Sequence, residues 1–155
     1  LAPETLKLEV TESVIAGNPD LRSSLEHCRA LGAGITIDDF GTGASSLSQL
    51  KDLPFDTIKI DQSFLAKHKD PQAKADGEVV LKSIIALAHD LKRTIIVEGV
   101  EREPDAAWLK ALGCEYAQGY FFSKPLPSAD ALNFIAMHFD LLAARSGVAN
   151  VAGKP

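Results

Sequence analysis

The chain has 155 residues, 46% of them hydrophobic, and a formal net charge of -5 at pH 7. That is enough apolar material for one packed domain and too much for a disordered chain. The acidic balance and the lack of a Lys/Arg cluster exclude a protein that coats polymeric nucleic acid, a binding mode driven by cations on phosphates, and leave room for a small anionic ligand held through metal ions.

Cys28 and Cys114 have no ligand-like spacing, so they read as small buried hydrophobes in a reducing, cytoplasmic setting and not as a disulfide or zinc site. No apolar run approaches the roughly 20 residues that span a bilayer, and the start lacks the basic-then-apolar order of a signal peptide. The chain opens on LAPETLKLEV without Met and almost directly in a strand, which suggests a piece of a longer protein.

Taken in order, the segments alternate between β-rich runs and helical periodicity. Residues 6–10 (LKLEV) form the first strand. Asn18 or Asp20 can cap a helix whose Leu21, Leu25, Cys28 and Leu31 share one face and which Gly32 and Gly34 stop. A second strand covers 34–38 (GITID), and a short helix over 45–52 ends at Pro54. The third strand, 56–60 (DTIKI), leads to the longest helix, 76–92, with Val80, Ile84, Leu87 and Leu91 on one stripe that should lie flat on the sheet. Residues 94–99 (TIIVEG) form the fourth strand and 103–112 a helix with Pro104 in its first turn. A weaker fifth strand at 115–119 and a helix over 128–144, capped by Ser128 with Asp130 behind it, complete the folded part. The domain is expected to cover 1–144, with 145–155 as a frayed tail.

This β-α alternation predicts parallel strands joined by helices. It carries neither GxGxxG nor GxxxxGK[ST], so a Rossmann or P-loop nucleotide site lacks its main signature. A (β/α)8 TIM-like barrel fits better. A full barrel takes about 250 residues, so five strands correspond to the last five β/α units. All but the fifth strand read as apolar enough to be buried on both faces.

In such folds the chemistry lies at the carboxyl ends of the strands. The first strand ends with Glu9, followed by Thr11 and Glu12; the second with Asp38 and Asp39. The third carries Lys59 and then Asp61, the fourth Glu98 and then Glu101, and the fifth Gln118. One such residue is usually a helix cap, but a polar group on all five strands is a rim. Converging carboxylates repel unless cations neutralise them, and oxygen-only ligands suit hard divalent ions such as Mg²⁺ or Mn²⁺. A pair of such ions with a lysine nearby is a solution for attacking a phosphodiester. Lys59 either orients the attacking water or forms a salt bridge to Asp61 or another neighbour. Gly41 and Gly43 let the backbone approach a ligand, while Thr42, Ser45 and Ser46 can cap the next helix. His27, His68, His89 and His138 fall on helices or loops away from the rim.

Five stretches, LEVTES (8–13), DDFGTGASSL (38–47), IKIDQSF (58–64), VEGVE (97–101) and QGYFFSKPLP (118–127), resemble in sequence and order the EAL-type cyclic di-GMP phosphodiesterase domain. The resemblance implies a modified (β/α)8 barrel with one antiparallel strand, two Mg²⁺ or Mn²⁺ ions, and hydrolysis of cyclic di-GMP to linear pGpG. It implies metal ligation by Glu9, Asp38, Asp39 and Glu98, with Glu98 also able to act as base, and contact between Lys59 and the attacking water. It further implies that Glu12 supports the loop from Asp39 to Ser46, that Asp61 sits beside the metals, and that Glu101, Gln118 and Pro125 line the nucleotide pocket. Such domains dimerise through this loop region and sit beside GGDEF or sensory domains. The family's Glu-Ala-Leu motif and a ligand Asn would lie before Leu1, and Ala44 stands where an aromatic residue is common. Two other readings are a catalytically silent cyclic di-GMP receptor and a barrel enzyme using Lys59 as a Schiff base.

Overall fold

Isoleucine, valine and threonine dominate the segments that become strands, side chains that pack well on a pleated surface. In the computed structural model, which describes residues 2–18, 20–43, 47–65 and 71–146, these are β1 (Lys7–Thr11), β2 (Gly34–Phe40), β3 (Thr57–Ile60), β4 (Thr94–Val97) and β5 (Tyr116–Ala117). They form one sheet in chain order, every pair parallel. The helices are α1 (Glu12–Gly17), α2 (Leu21–Ala30), α3 (Leu47–Asp52), α4 (Pro71–Asp90), α5 (Glu103–Ala111) and α6 (Ser128–Ser146). Consecutive parallel strands with a helix after each are successive units of a (β/α) barrel. The sheet and α1 to α5 lie within one compact unit, Leu1–Phe122; α6 lies within a second, Ser123–Pro155.

The sheet has two unlike faces. Ile35, Ile37, Ile58, Ile60, Ile95 and Val97 are at most 1% exposed and belong to the hydrophobic core. Because side chains alternate along a strand, the other face carries Glu9, Thr36, Thr57 and Thr94, which the register places in one row. Thr36 and Thr57 are buried, so the centre of the sheet is covered as expected. In β1, however, Lys7 and Glu9 are exposed, because β1 is an edge strand with a partner on one side only.

The helices cover the apolar face. On α4 the buried stripe is Leu81, Ile84, Ile85 and Ala88, spaced i, i+3, i+4, i+7. Of the stripe read from sequence, Ile84 is buried and Leu91 packs against the core, but Val80 is 45% exposed. The stripe is turned one position, which brings the small Ala88 to the sheet. On α2, Leu25 is buried and Leu21 and Cys28 pack against the core, but Leu31 is exposed, because it is the C-cap residue beyond the last turn. Gly32, at φ 98°, closes that helix with hydrogen bonds from Gly32 to the Arg29 carbonyl and from Ala33 to Cys28, the pattern of a left-handed cap. Gly34 instead starts β2. Asp20 takes the N-cap position without a side-chain cap; Asn18 accepts from its backbone N–H at 3.1 Å. Among the described residues no helix is long and apolar enough to cross a membrane. Both cysteines are free thiols.

The amino ends of the strands are tied by carboxylates. Asp56, just before β3, accepts from the Ile35 N–H of β2 at 3.0 Å and pairs with Arg29 at 2.9 Å. Glu115, just before β5, accepts from the Ile95 N–H of β4 at 3.2 Å and meets His89 at 3.1 Å.

The end of α4 repeats the left-handed cap with a non-glycine residue. Lys92 (φ 57°) donates to the His89 carbonyl at 2.9 Å and Arg93 to Ala88 at 2.8 Å. A side chain there costs roughly 1–2 kcal/mol, partly offset by the lower entropy of the unfolded chain. Lys92→Gly is therefore expected to stabilise the fold by about 0.5–1 kcal/mol, raising the melting temperature by roughly 1–4 °C. Thermal unfolding followed by circular dichroism checks this; an unchanged or lower midpoint would show the backbone is unstrained.

Candidate active site

A regular strand would send Asp38 and Asp39 to opposite faces. Two local departures bring them together. The pairing of β2 with β3 slips between Ile37 and Phe40, and Asp39 takes φ 53°, a left-handed conformation that Asp tolerates better than most residues. The strand does not stop at the aspartates, as the sequence suggested, but runs through them to the buried Phe40. The turn that follows is closed by Thr42, whose hydroxyl donates to the Asp39 carbonyl at 2.9 Å. Thr42 thus closes its own turn and does not cap α3; Ser45 and Ser46 lie outside the described residues.

The outcome is a carboxylate cluster: Asp38, Asp39 and Glu98 each offer an oxygen within 4.8 Å of the others. Lys59, from the middle of β3, points into it. Its Nζ lies 2.8 Å from Glu98 Oε1, 3.0 Å from Asp38 Oδ1 and 3.3 Å from Glu9 Oε2. The salt-bridge reading of Lys59 is thus met by neighbours, Glu98, Asp38 and Glu9, and not by Asp61. Only 12% of the Lys59 side chain is exposed. Burial alone pulls its pKa down, but the carboxylates of Glu98 and Asp38 outweigh it, and the net shift is upward. The amine is held protonated, the reverse of what a Schiff-base lysine needs.

Glu12, the first residue of α1, is 4% exposed. A buried carboxylate is costly unless hydrogen-bonded. Here Oε2 accepts from the backbone N–H of Gly41 at 2.9 Å and of Gly43 at 3.0 Å. The turn after Asp39 is thereby strapped to the start of α1. That short helix had no sequence signal of its own, since six residues are too few for a periodic pattern.

Two clefts open around Gly99, the residue after Glu98, and Glu98 itself lines one of them. One, of about 280 Å³, is lined by Gln62, Glu98, Gly99, Glu101, Gln118 and Tyr120 among others. The second, of about 410 Å³, includes Asp61, Gln62, Gly99, Glu101 and Asp105. Gln118 also joins the strand ends: its N–H donates to the Val97 carbonyl at 2.9 Å, and its carbonyl accepts from Val100 at 3.0 Å. Asp61 accepts from the Ser63 N–H at 2.9 Å, and its hydrogen bonds with Ser63 lower its pKa. Asp61 therefore fixes the turn Gln62–Leu65 after β3. Pro125 is exposed and falls in the second unit, before α6. Gln62, absent from the residues singled out by sequence, lines both clefts; nothing in its spacing marks it.

The donor set fits a hard divalent cation. All the groups are carboxylate oxygens, and Glu9, Asp38, Asp39 and Glu98 outnumber the single ammonium, leaving net negative charge at the rim. His89 is engaged with Glu115 and His138 stacks on Phe134; His68 lies outside the described residues.

The EAL domain family model matches residues 1–125. The cyclic di-GMP phosphodiesterase NbdA of Pseudomonas aeruginosa is 44% identical over 142 residues, covering 90% of this chain and 18% of that protein. The chain thus spans under a fifth of that relative's length. Among solved structures, the PaMucR phosphodiesterase in complex with c-di-GMP superposes with a TM-score of 0.78 at 41% identity, over 84% of this chain and 52% of that one. A manganese and cyclic di-GMP complex of Klebsiella pneumoniae BlrP1 gives a TM-score of 0.71 at 32% identity, over 81% and 31% of the two chains. The family match over most of the chain and the parallel β/α order shared with these structures agree: this chain belongs to the EAL domain family.

Proposed function

We propose that this chain supplies one side of the active site of a cyclic di-GMP phosphodiesterase, which opens one phosphodiester to give linear pGpG. The observation that carries the reading is the Lys59 ammonium held at 2.8 to 3.3 Å among Glu98, Asp38 and Glu9, where a phosphoryl group and its attacking water would meet. Glu9, Asp38, Asp39 and Glu98 would hold two Mg²⁺ or Mn²⁺ ions. Such ions lower the pKa of a bound water and screen the phosphate charge.

The chain's own groups do the rest. Glu98 takes the proton of the water as its oxygen adds to phosphorus; the P–O3′ bond breaks, and the 3′ oxygen leaves with a proton from solvent. Lys59, kept protonated, faces the negative charge that builds on the phosphoryl oxygens. Glu12 fixes the turn that carries Asp39, Asp61 fixes the turn beside the cluster, and Glu101 and Gln118 border the nucleotide. The same reading places the chain in the cytoplasm, in a homodimer formed around the turn after Asp39, alongside GGDEF or sensory domains of a longer protein.

Turnover of cyclic di-GMP by the full-length protein with Mg²⁺ or Mn²⁺, followed as pGpG release, tests this directly. Asp38→Asn is expected to abolish hydrolysis with the circular dichroism spectrum unchanged; wild-type turnover in that variant would remove Asp38 from the site. Lys59→Met is expected to lower kcat by about 10²–10³-fold, the usual scale for losing one charge-stabilising donor, with Mn²⁺ still bound by calorimetry. A normal kcat would reduce Lys59 to a structural counter-ion. Glu12→Gln keeps the size but weakens the acceptor, so faster hydrogen exchange at the Gly41 and Gly43 amides should accompany a fall in kcat. Unchanged exchange would show that the strap does not depend on the charge.

A further inference from the structure

Gln62 stands where the two clefts around Gly99 meet, and no role in the proposed reaction accounts for it. It opens the turn after β3, and Asp61 fixes that turn by accepting from the Ser63 N–H. On its other side it touches the turn after β4. Gly99 there has φ 72°, and a Cβ on it would collide with the Gln62 Cβ. Gly99 is thus required twice, by its backbone angle and by the closeness of Gln62. The contact holds the base of Gln62 against the residue next to Glu98, and both clefts count Gln62 and Gly99 among their walls.

The rest of the side chain is exposed, and its carboxamide has no hydrogen-bond partner among the described residues. A carboxamide offers a donor and an acceptor at once and carries no charge. Around it stand Glu98, Glu101 and Asp61, which as carboxylates can only accept. Of the two side chains that line both clefts, Gln62 and Glu101, Gln62 is the one that can donate to a ligand without adding charge; Gln118 and Tyr120 line the smaller cleft and Ser63 the larger. A purine edge bearing an acceptor beside a donor, as guanine O6 and N1–H or adenine N7 and N6–H₂ do, matches it in both directions.

We propose that Gln62 is a further substrate-binding residue, whose carboxamide hydrogen-bonds a purine edge of the cyclic dinucleotide held beside Glu98. This rests on the phosphodiesterase reading above and adds a group that binds the base. A residue that binds substrate and transition state alike acts on KM and leaves kcat nearly unchanged, whereas one that merely props Glu98 through Gly99 acts on kcat. A site that expects a hydrogen bond rejects an analogue lacking it, because its polar groups are left unpaired.

The test is steady-state hydrolysis by the full-length protein with Mn²⁺, using cyclic di-GMP and cyclic di-AMP as paired substrates. The forms compared are wild type, Gln62→Leu, which keeps bulk against Gly99 without polar atoms, and Gln62→Glu, which keeps the acceptor and loses the donor. Gln62→Leu is expected to raise KM for cyclic di-GMP about tenfold, the scale of one lost hydrogen bond, with kcat within a factor of two and a parallel rise in KM for cyclic di-AMP where that substrate is turned over. Gln62→Glu should lose as much or more. An unchanged KM in both variants overturns the proposal, as does a fall in kcat at constant KM. If the wild-type protein hydrolyses neither dinucleotide, the phosphodiesterase reading itself fails and this inference goes with it.

Discussion

A single ammonium, Lys59 Nζ, is held with most of its surface out of water between carboxylates from three different strands. A charge so placed is tolerable only if its partners are fixed around it. The fold supplies this by parallel pairing: β1, β2, β3 and β4 deliver Glu9, Asp38, Lys59 and Glu98 to one end of one face. The lysine sits on β3, the strand with two neighbours on either side, and so reaches acids from both directions. A shift of one residue in any pairing would turn that strand's polar group to the helix-covered face, where Ile35, Ile58 and Ile95 are sealed from water. Core and site therefore enforce the same register.

Backbone conformation does what strand geometry alone cannot. Two adjacent aspartates belong to opposite faces of a regular strand, and the slipped pairing at Asp39 adds the second carboxylate to the cluster. Such strain persists only where neighbours determine it, and Glu12 is that neighbour. Its buried carboxylate binds the Gly41 and Gly43 amides, so the turn cannot relax without stripping a carboxylate of its donors.

Much of this was legible in the sequence, for identifiable reasons. Parallel β/α order follows from alternation of β-branched runs with helical periodicity, and the rim follows from asking what each strand ends with. That reading named Glu9, Asp38, Lys59 and Glu98, which the fold brings together. Features that depend on a single residue's backbone were hidden: the left-handed Asp39, the six-residue α1, and the partner of Thr42. The stripe on α4 was misplaced by one position because its run of Val79, Val80, Leu81, Ile84 and Ile85 allows neighbouring faces, and contact with the sheet selects between them. Gln62 was invisible because its place depends on Gly99, 37 positions further along the sequence, and no spacing rule connects a turn after one strand to a turn after the next.

The two ends of the sheet use the same residue type to opposite effect. At the amino ends, Asp56 and Glu115 each bind one strand N–H and one basic side chain, Arg29 or His89. These acids are matched locally, and the groups they bind belong to the scaffold. At the carboxyl ends, Glu9, Asp38 and Glu98 divide one ammonium between them, and Asp39 adds a further negative charge beside it. Divalent cations from solution would neutralise the rest, and such cations could in turn accept an anionic group that bare carboxylates would repel. The imbalance of charge between the two ends thus separates the part of the chain that secures the sheet from the part that is left to act.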